Sequence, residues 1–209
     1  MATAQTASNA DVDPWEVEVP APSGNYAVCP ASNYAGTIIA VIDIGHHEAE
    51  NDKGEKYLSR KLIIAVELKK LQPDGQPFIL AERYTFSMSE KSNLFKLVSN
   101  LKGVKLNQGD KFSPRTLLGT PVMVNVTNGQ SAKGKSYHNI GAIAAFPEGM
   151  EAPKPVHEPF MWSVKQPGPI PAFEGFPFVY GESIGALCRQ SEERKSQTEE
   201  TESNDSIPF

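Results

Sequence analysis

Residues Gly129-Gln-Ser-Ala-Lys-Gly-Lys-Ser136 fit the phosphate-cradling pattern G-x-x-x-x-G-K-S/T. A working phosphate loop follows a strand and opens a helix, so that loop amides and the helix N-terminus face the phosphates. A strand-like run does precede the pattern. The residues after it, Tyr137 to Phe146, include β-branched side chains and a glycine but no cap and no helical stripe. No later apolar strand ends in an aspartate that would hold magnesium. The segment therefore reads as a hairpin loop that displays Lys133 and Lys135. Neither an enzyme nor a cofactor is expected from it.

Other reactive side chains are equally sparse. His46 and His47 lie near Glu48, Glu50 and Asp52. Adjacent strand residues point to opposite sides, and no third ligand occurs at a fixed spacing, so a polar loop is expected and no metal. Cys29 and Cys188 are far apart and in no metal-ligand spacing. One long-range disulfide is an option, but two buried thiols in a reducing cytosol are favoured. No serine–histidine–carboxylate or cysteine–histidine set follows from spacing, so no catalytic residue is assigned.

Cations and aromatic rings are interleaved at two places. The run Asp52–Lys61 mixes Lys53, Lys56, Arg60 and Lys61 with Tyr57, and a second run mixes Lys133 and Lys135 with Tyr137. Cations neutralise phosphates, and rings stack on unpaired bases at roughly 1–3 kcal/mol each without reading sequence. Solvated lysine-rich loops with incidental tyrosines are the plainer reading. Two such loops meeting at one groove favour binding.

A net charge of −5 over 209 residues argues against a polyanion partner only if the charge is evenly spread. Residues 1–29 carry four acids and no base, residues 30–147 carry 15 bases and 10 acids, and residues 148–209 carry 5 bases and 11 acids. A core of +5 sits between ends of −4 and −6, as suits a polyanion-binding centre with solubilising tails. No apolar run is long enough to cross a membrane as a helix. The first 29 residues hold no Lys or Arg, so neither a secretory signal nor a transit peptide fits. A cytoplasmic protein is expected, bacterial or in the host cytoplasm if phage-encoded.

The elements that must position these residues follow from hydrophobic period. Residues 37–44 are apolar on both sides, as a doubly buried strand would be. Leu62, Ile64, Val66 and Leu68 form one face of a strand over 61–69. After the turn Pro73-Asp74-Gly75, residues 77–86 place Phe78, Leu80, Tyr84 and Phe86 on one face and Ile79, Ala81, Arg83 and Thr85 on the other. Ser87 with Glu90 reads as a capping box. The stripe Leu94, Phe95, Leu97, Val98 and Leu101 reads as a helix ended by Gly103. Ser113-Pro114 opens a short turn closed by Gly119, and strands follow over 121–127 and 137–146, with Asn128-Gly129 beginning the loop between them.

Three strands, a helix and two strands is the order of a five-stranded Greek-key OB-fold barrel, mainly β, with its helix between strands 3 and 4. Other small α+β folds share that order. On an OB barrel the two cation–aromatic loops flank the face of strands two and three that receives oligonucleotides. That face could also present Lys69, Arg83 and Tyr84.

Residues 147–180 hold eight of the 17 prolines together with Phe160, Trp162, Phe173, Phe176, Phe178 and Tyr180. So many rings would not suit a solvated linker. An extended segment packing its rings back on the barrel is expected, with a short helix near 181–191. Arg189 to Ser206 holds no aliphatic or aromatic residue and reads as disordered. The acids Glu192, Glu193, Glu199, Glu200, Glu202 and Asp205 then precede Ile207-Pro208-Phe209. That arrangement suits a peptide ligand whose ring enters a partner's pocket while its acids steer toward a basic rim.

With these residues in view, the chain resembles single-stranded-DNA-binding proteins of the bacterial and bacteriophage type. Asn204-Asp-Ser-Ile-Pro-Phe209 is similar to that family's acidic Asp-Asp-Asp-Ile-Pro-Phe tip, with Asn204 and Ser206 standing in place of acids. Ala27–Val41, Tyr84–Lys91, Leu117–Pro121 and Tyr137–Ile140 also resemble phage members. The resemblance covers roughly residues 27–147 and the last six. It implies sequence-tolerant coating of single-stranded DNA in replication, recombination or repair. It also implies recruitment of partner enzymes through Asp205, Ile207, Pro208 and Phe209, and a possible homo-oligomer.

The expected organisation is a flexible acidic arm (1–29), an OB-fold nucleic-acid-binding domain (30–147), a Pro/aromatic-rich extension with a short helix (148–191) and a disordered acidic tail (192–209). Lys53, Lys56, Arg60, Lys61, Arg83, Lys133 and Lys135 are expected to hold phosphates, and Tyr57, Tyr84 and Tyr137 to stack bases. The alternatives are an interaction adaptor built on the extension and tail, and a single-stranded RNA binder.

Overall fold

The computed structural model describes residues 27–103, 110–131, 134–177, 179 and 181–195. Most of the expected arm, Lys133, and the tip residues Asp205, Ile207, Pro208 and Phe209 lie outside the described residues. The chain runs β1 (Ser32–Glu50), β2 (Lys56–Leu71), β3 (Pro77–Thr85), α1 (Asn93–Lys102), a 3-10 turn (Pro114–Leu117), β4 (Pro121–Gln130), β5 (Ser136–Ala145), β6 (Phe160–Ser163) and α2 (Ile184–Arg189). The mainly β class and the order of three strands, helix and two strands are as expected.

The strands form one sheet in the order β3-β2-β1-β4-β5, with β6 added parallel to β1 and every other pairing antiparallel. The sheet is open. Among the described residues β3 and β5 are its ends and do not pair with each other. They nonetheless approach: the Phe78 and His138 rings meet edge to face at 6.3 Å, and α1 packs against both strands.

The alternation expected for β2 and β3 is the one observed. Leu62, Ile64, Val66 and Leu68 join Phe78, Leu80 and Tyr84 in a first core that also takes Leu94, Leu97 and Val98 from α1 and Val122, Val124 and Val126 from β4. β1 is apolar on both sides because each side meets a core. Ile38 and Val41 enter the first, while Ile39, Ala40, Ile42 and Ile44 enter a second. A register shift between Ile38 and Ala40 breaks strict alternation, so Ile39 and Ala40 both serve the second core.

The C-terminal extension builds that second core. Ile63, Ala65 and Ile79 on the outer side of β2 and β3 are covered by Val164, Val179, Ile184, Leu187 and Cys188, with Phe160, Trp162, Phe173 and Phe176 packed around them. The Phe173 ring meets Trp162 edge to face at 5.6 Å, and Phe176 meets Phe160 likewise at 5.4 Å. The segment leading to β6 is tied down earlier. The buried Glu67 carboxylate accepts the Val156 and His157 backbone N–H groups at 2.6 and 3.0 Å, and Thr37 donates to the Pro153 carbonyl at 2.9 Å. Composition implies that the aromatic segment packs against the sheet; it does not reveal the four-residue parallel strand β6 inside it.

Local differences from expectation have local causes. The cap of α1 is Ser92, whose Oγ accepts the Phe95 N–H at 3.1 Å; residues 89–92 form a preceding turn, so Ser87 and Glu90 lie too early to box the helix. Gly103 ends α1 in the left-handed conformation at φ 64°. The strands of both hairpins run further than their composition suggested. β4 continues through Asn128-Gly129, and β2 begins at Lys56. Lys56, Tyr57, Arg60 and Lys61 are therefore strand residues, and the turn itself is shaped by Asn51, whose Oδ1 accepts the N–H groups of Lys53 and Glu55. Finally, residues 192–195 are a helical turn rather than the start of a disordered tail.

Candidate nucleic-acid interface

The outer side of the β2–β3 pair carries Lys61, Ile63, Ala65, Glu67 and Lys69 on one strand and Ile79, Ala81, Arg83 and Thr85 on the other. Its middle is closed to a ligand, because the extension buries Ile63, Ala65, Ile79 and Glu67. The end next to the β1–β2 hairpin stays accessible. There Lys61 pairs in register with Thr85 and donates to its Oγ1 at 2.9 Å, while Arg83 lies opposite Ile63, two residues away on the same side.

These groups share one electrostatic patch. Burial lowers the Lys61 ammonium below its ordinary value, and the Arg83 charge lowers it further. Burial also lowers His47; its ring bond to the Ile44 carbonyl opposes this, and the Arg83 and Lys61 charges reinforce it. Burial is the larger cause in both cases; the positive charge at this end of the sheet is that of Lys61 and Arg83, the kind of charge that a phosphate complements. His47 was not assigned this place from sequence, since only the β1–β2 register brings it beside Lys61.

At the hairpin tip Tyr57 is 50% exposed and Leu58 55% exposed. Lys53 and Lys56 are exposed beside them, and Lys56 meets Glu48 at 3.4 Å. At the β4–β5 hairpin Tyr137 is 41% exposed and Lys135 is exposed. The Tyr137 ring lies on Gly129, its cross-strand partner, where an added Cβ would stand 2.7 Å from the ring. The absence of a side chain at Gly129 is what lets the ring lie there.

Two sequence-assigned residues have other roles. Tyr84 is 5% exposed in the first core and its hydroxyl donates to Glu82 at 2.7 Å, so its ring is not presented to a base. Arg60 points to the other side of β2 from Lys61. It holds the buried Asp43 through Nε to Oδ1 at 3.1 Å and Nη2 to Oδ2 at 2.6 Å, with its guanidinium 4.7 Å from the Phe86 ring centre. Its charge is matched inside the protein.

The remaining reactive groups are also accounted for. Ser136–Ala145 is a strand, so the helix that a phosphate loop needs does not follow Gly129–Ser136. His46 Nδ1 meets Glu193 at 2.7 Å, and the His46 backbone N–H donates to the same carboxylate at 2.9 Å. Among the described residues no group of three or more His, Cys, Asp or Glu is placed to hold a metal, and none of their helices is long and apolar enough to cross a membrane. Cys29 and Cys188 are buried free thiols, one in each core.

A cleft of about 610 Å³ runs over the seam between β3 and β5. Leu80, Ala81 and Glu82 line one side, Tyr137–Ile140 the other, and Pro177, Val179 and Gly181 the rim. Burial raises the Glu82 carboxyl above its ordinary value, against the Tyr84 hydrogen bond. No protein-family model and no curated protein matches this sequence.

Proposed function

We propose that this chain binds single-stranded DNA with little sequence preference, as an OB-type module whose sheet curls around the first core with α1 beneath the β3–β5 seam. The observation that carries the reading is the pairing of exposed tyrosines with exposed lysines at both hairpins, Tyr57 with Lys53 and Lys56, and Tyr137 with Lys135. The Lys61–Arg83–His47 patch lies on β1–β3 beside the first of these hairpins. Phosphates would be held by Lys53, Lys56, Lys61, Arg83 and Lys135, with bases stacking on Tyr57 and Tyr137. Such surfaces bind single strands because rings need unstacked bases, whereas duplex bases are already stacked. Roles in replication, recombination or repair, and recruitment of partner enzymes through Asp205, Ile207, Pro208 and Phe209, belong to the same proposal through the family resemblance.

The test is a salt series of binding isotherms with oligo-dT, a matched RNA and duplex DNA. Oligo-dT should bind tightest, with affinity falling steeply as salt rises. Equal or tighter duplex binding overturns the single-strand reading, and salt-independent binding overturns the phosphate role. RNA binding tighter than oligo-dT would make the ligand RNA. An adaptor reading is less well supported, because Phe160, Trp162, Phe173 and Phe176 are partly buried against the second core, where they have a packing role.

A further inference from the structure

The β3–β5 cleft holds chemistry that the cationic patch lacks. Leu80 and Val179, already buried, and Ile140 give it an apolar lining. Tyr137, His138, Asn139 and Glu82 bring a phenol ring, an imidazole, an amide and a carboxylate to the same space. A concave site of this size, part apolar with a few polar groups, suits a small flat ligand.

The polar groups narrow the choice. Oε2 of Glu82 accepts the Tyr84 hydroxyl at 2.7 Å, and no ion pair neutralises the carboxylate among the described residues. Burial raises this carboxyl in spite of that bond. A partly buried carboxylate with a single donor gains from a ligand that brings N–H groups to it. Nδ1 of His138 accepts the Cys29 backbone N–H at 3.1 Å, and burial lowers the ring's value, so the imidazole is neutral. The cleft lining therefore has an acid and no cation, and a phosphate would be repelled from it. Lys135, exposed two residues before Tyr137, offers a phosphate its place outside.

A nucleobase whose phosphate stays outside meets these terms, and the four bases differ. Guanine carries two adjacent donors, N1–H and the N2 amine, which match the two oxygens of a carboxylate. Cytosine and adenine place one amine beside an acceptor. Thymine places one N–H between two carbonyls, which a carboxylate repels.

We propose that the β3–β5 cleft takes one unstacked guanine of a bound strand, its ring beside Tyr137 and its Watson–Crick edge on the Glu82 carboxylate. This rests on the single-strand reading and deepens it. The hairpins hold the strand without regard to sequence, and one position favours guanine.

Binding isotherms on the full chain test it, comparing oligo-dT with the same strand carrying one central dG, dC or N1-methylated dG. The dG strand should bind about tenfold tighter than oligo-dT. Methylation at N1, which removes one of the two donors, should erase most of that advantage, and Glu82→Ala should bring the ratio of the dG strand to oligo-dT to about one. The methylated strand is read on the wild-type protein, so the outcome does not depend on the variant's folding. Equal affinity for the dG and dT strands overturns the proposal, as does an advantage that survives N1 methylation or Glu82→Ala, or a dC strand that binds as tightly as the dG strand. No binding of any strand overturns the single-strand reading and this proposal together, so the two failures are distinguishable.

Discussion

The Arg60 guanidinium grips the Asp43 carboxylate with two hydrogen bonds, at 3.1 and 2.6 Å, across the β1–β2 pair. Asp43 also accepts from Ser163 Oγ at 2.7 Å and from the Gly45 N–H at 3.2 Å. One buried carboxylate thereby joins β1, β2 and β6, and through β6 the whole extension.

Asp43→Asn should leave Arg60 without its counter-charge and cost roughly 1–3 kcal/mol, less than for a fully buried pair because Arg60 is about one-third exposed. Burial pushes the Asp43 carboxyl up, but the bonds from Arg60 and Ser163 outweigh it and hold it below its ordinary value. The stabilisation is therefore complete above the unfolded carboxyl value, near pH 4, and is lost as pH falls from there through the folded value. Urea unfolding at pH 3 to 7 should show this acid-side loss in the wild type and less of it in Asp43→Asn.

Tyr137 and Tyr84 should separate binding from stability. Tyr137→Ala should weaken oligo-dT binding by roughly 1–3 kcal/mol with little change in melting temperature. Tyr84→Ala should instead lower stability by roughly 3–5 kcal/mol, and Tyr84→Phe should leave affinity intact. Fluorescence titration beside thermal melting checks both.

Gly129→Ala tests the same ring indirectly. A Cβ at Gly129 would stand 2.7 Å from the Tyr137 ring, which must then move. Oligonucleotide affinity should fall about as far as in Tyr137→Ala, while Lys135→Ala should instead reduce the slope of log affinity against log salt by about 1.

Neither cysteine should react with Ellman's reagent in the native protein. Burial pushes the Cys188 thiol up to about 12 and raises Cys29 as well, so little thiolate forms at neutral pH. Modification should follow the rate of unfolding; prompt stoichiometric labelling would contradict the burial.

Glu193→Gln should loosen the turn at residues 192–195. The carboxylate accepts both the backbone and ring N–H groups of His46, and burial, which raises its value, is outweighed by these bonds. The loss should be roughly 0.5–1.5 kcal/mol, with faster proteolysis near Arg194 and Lys195 as its readout.

Much of the fold was legible because strand and helix periods are local. Leu62–Leu68 and Phe78–Tyr84 declare their faces by alternation, and Leu94–Leu101 declares its stripe. What composition could not give was the place where a pattern ends. Asn128-Gly129 has turn chemistry, yet pairing with His138 and Tyr137 carries the strand past it. Phe160–Ser163 is too short to show a period, and its partner on β1 lies 120 residues earlier.

The cation–aromatic residues themselves were read from the sequence alone, since residue type and clustering are written there. Their fates were decided by tertiary structure. Arg60 and Lys61 are neighbours with the same charge, but a strand turns adjacent side chains to opposite sides, and only one side holds Asp43. Tyr84 faces the first core, where α1 and β4 pack on β2 and β3, and Tyr137 stands exposed at the end of the β4–β5 hairpin. Glu193 reads as one acid in a solvated run, and only the packing of α2 against β1 brings it to His46.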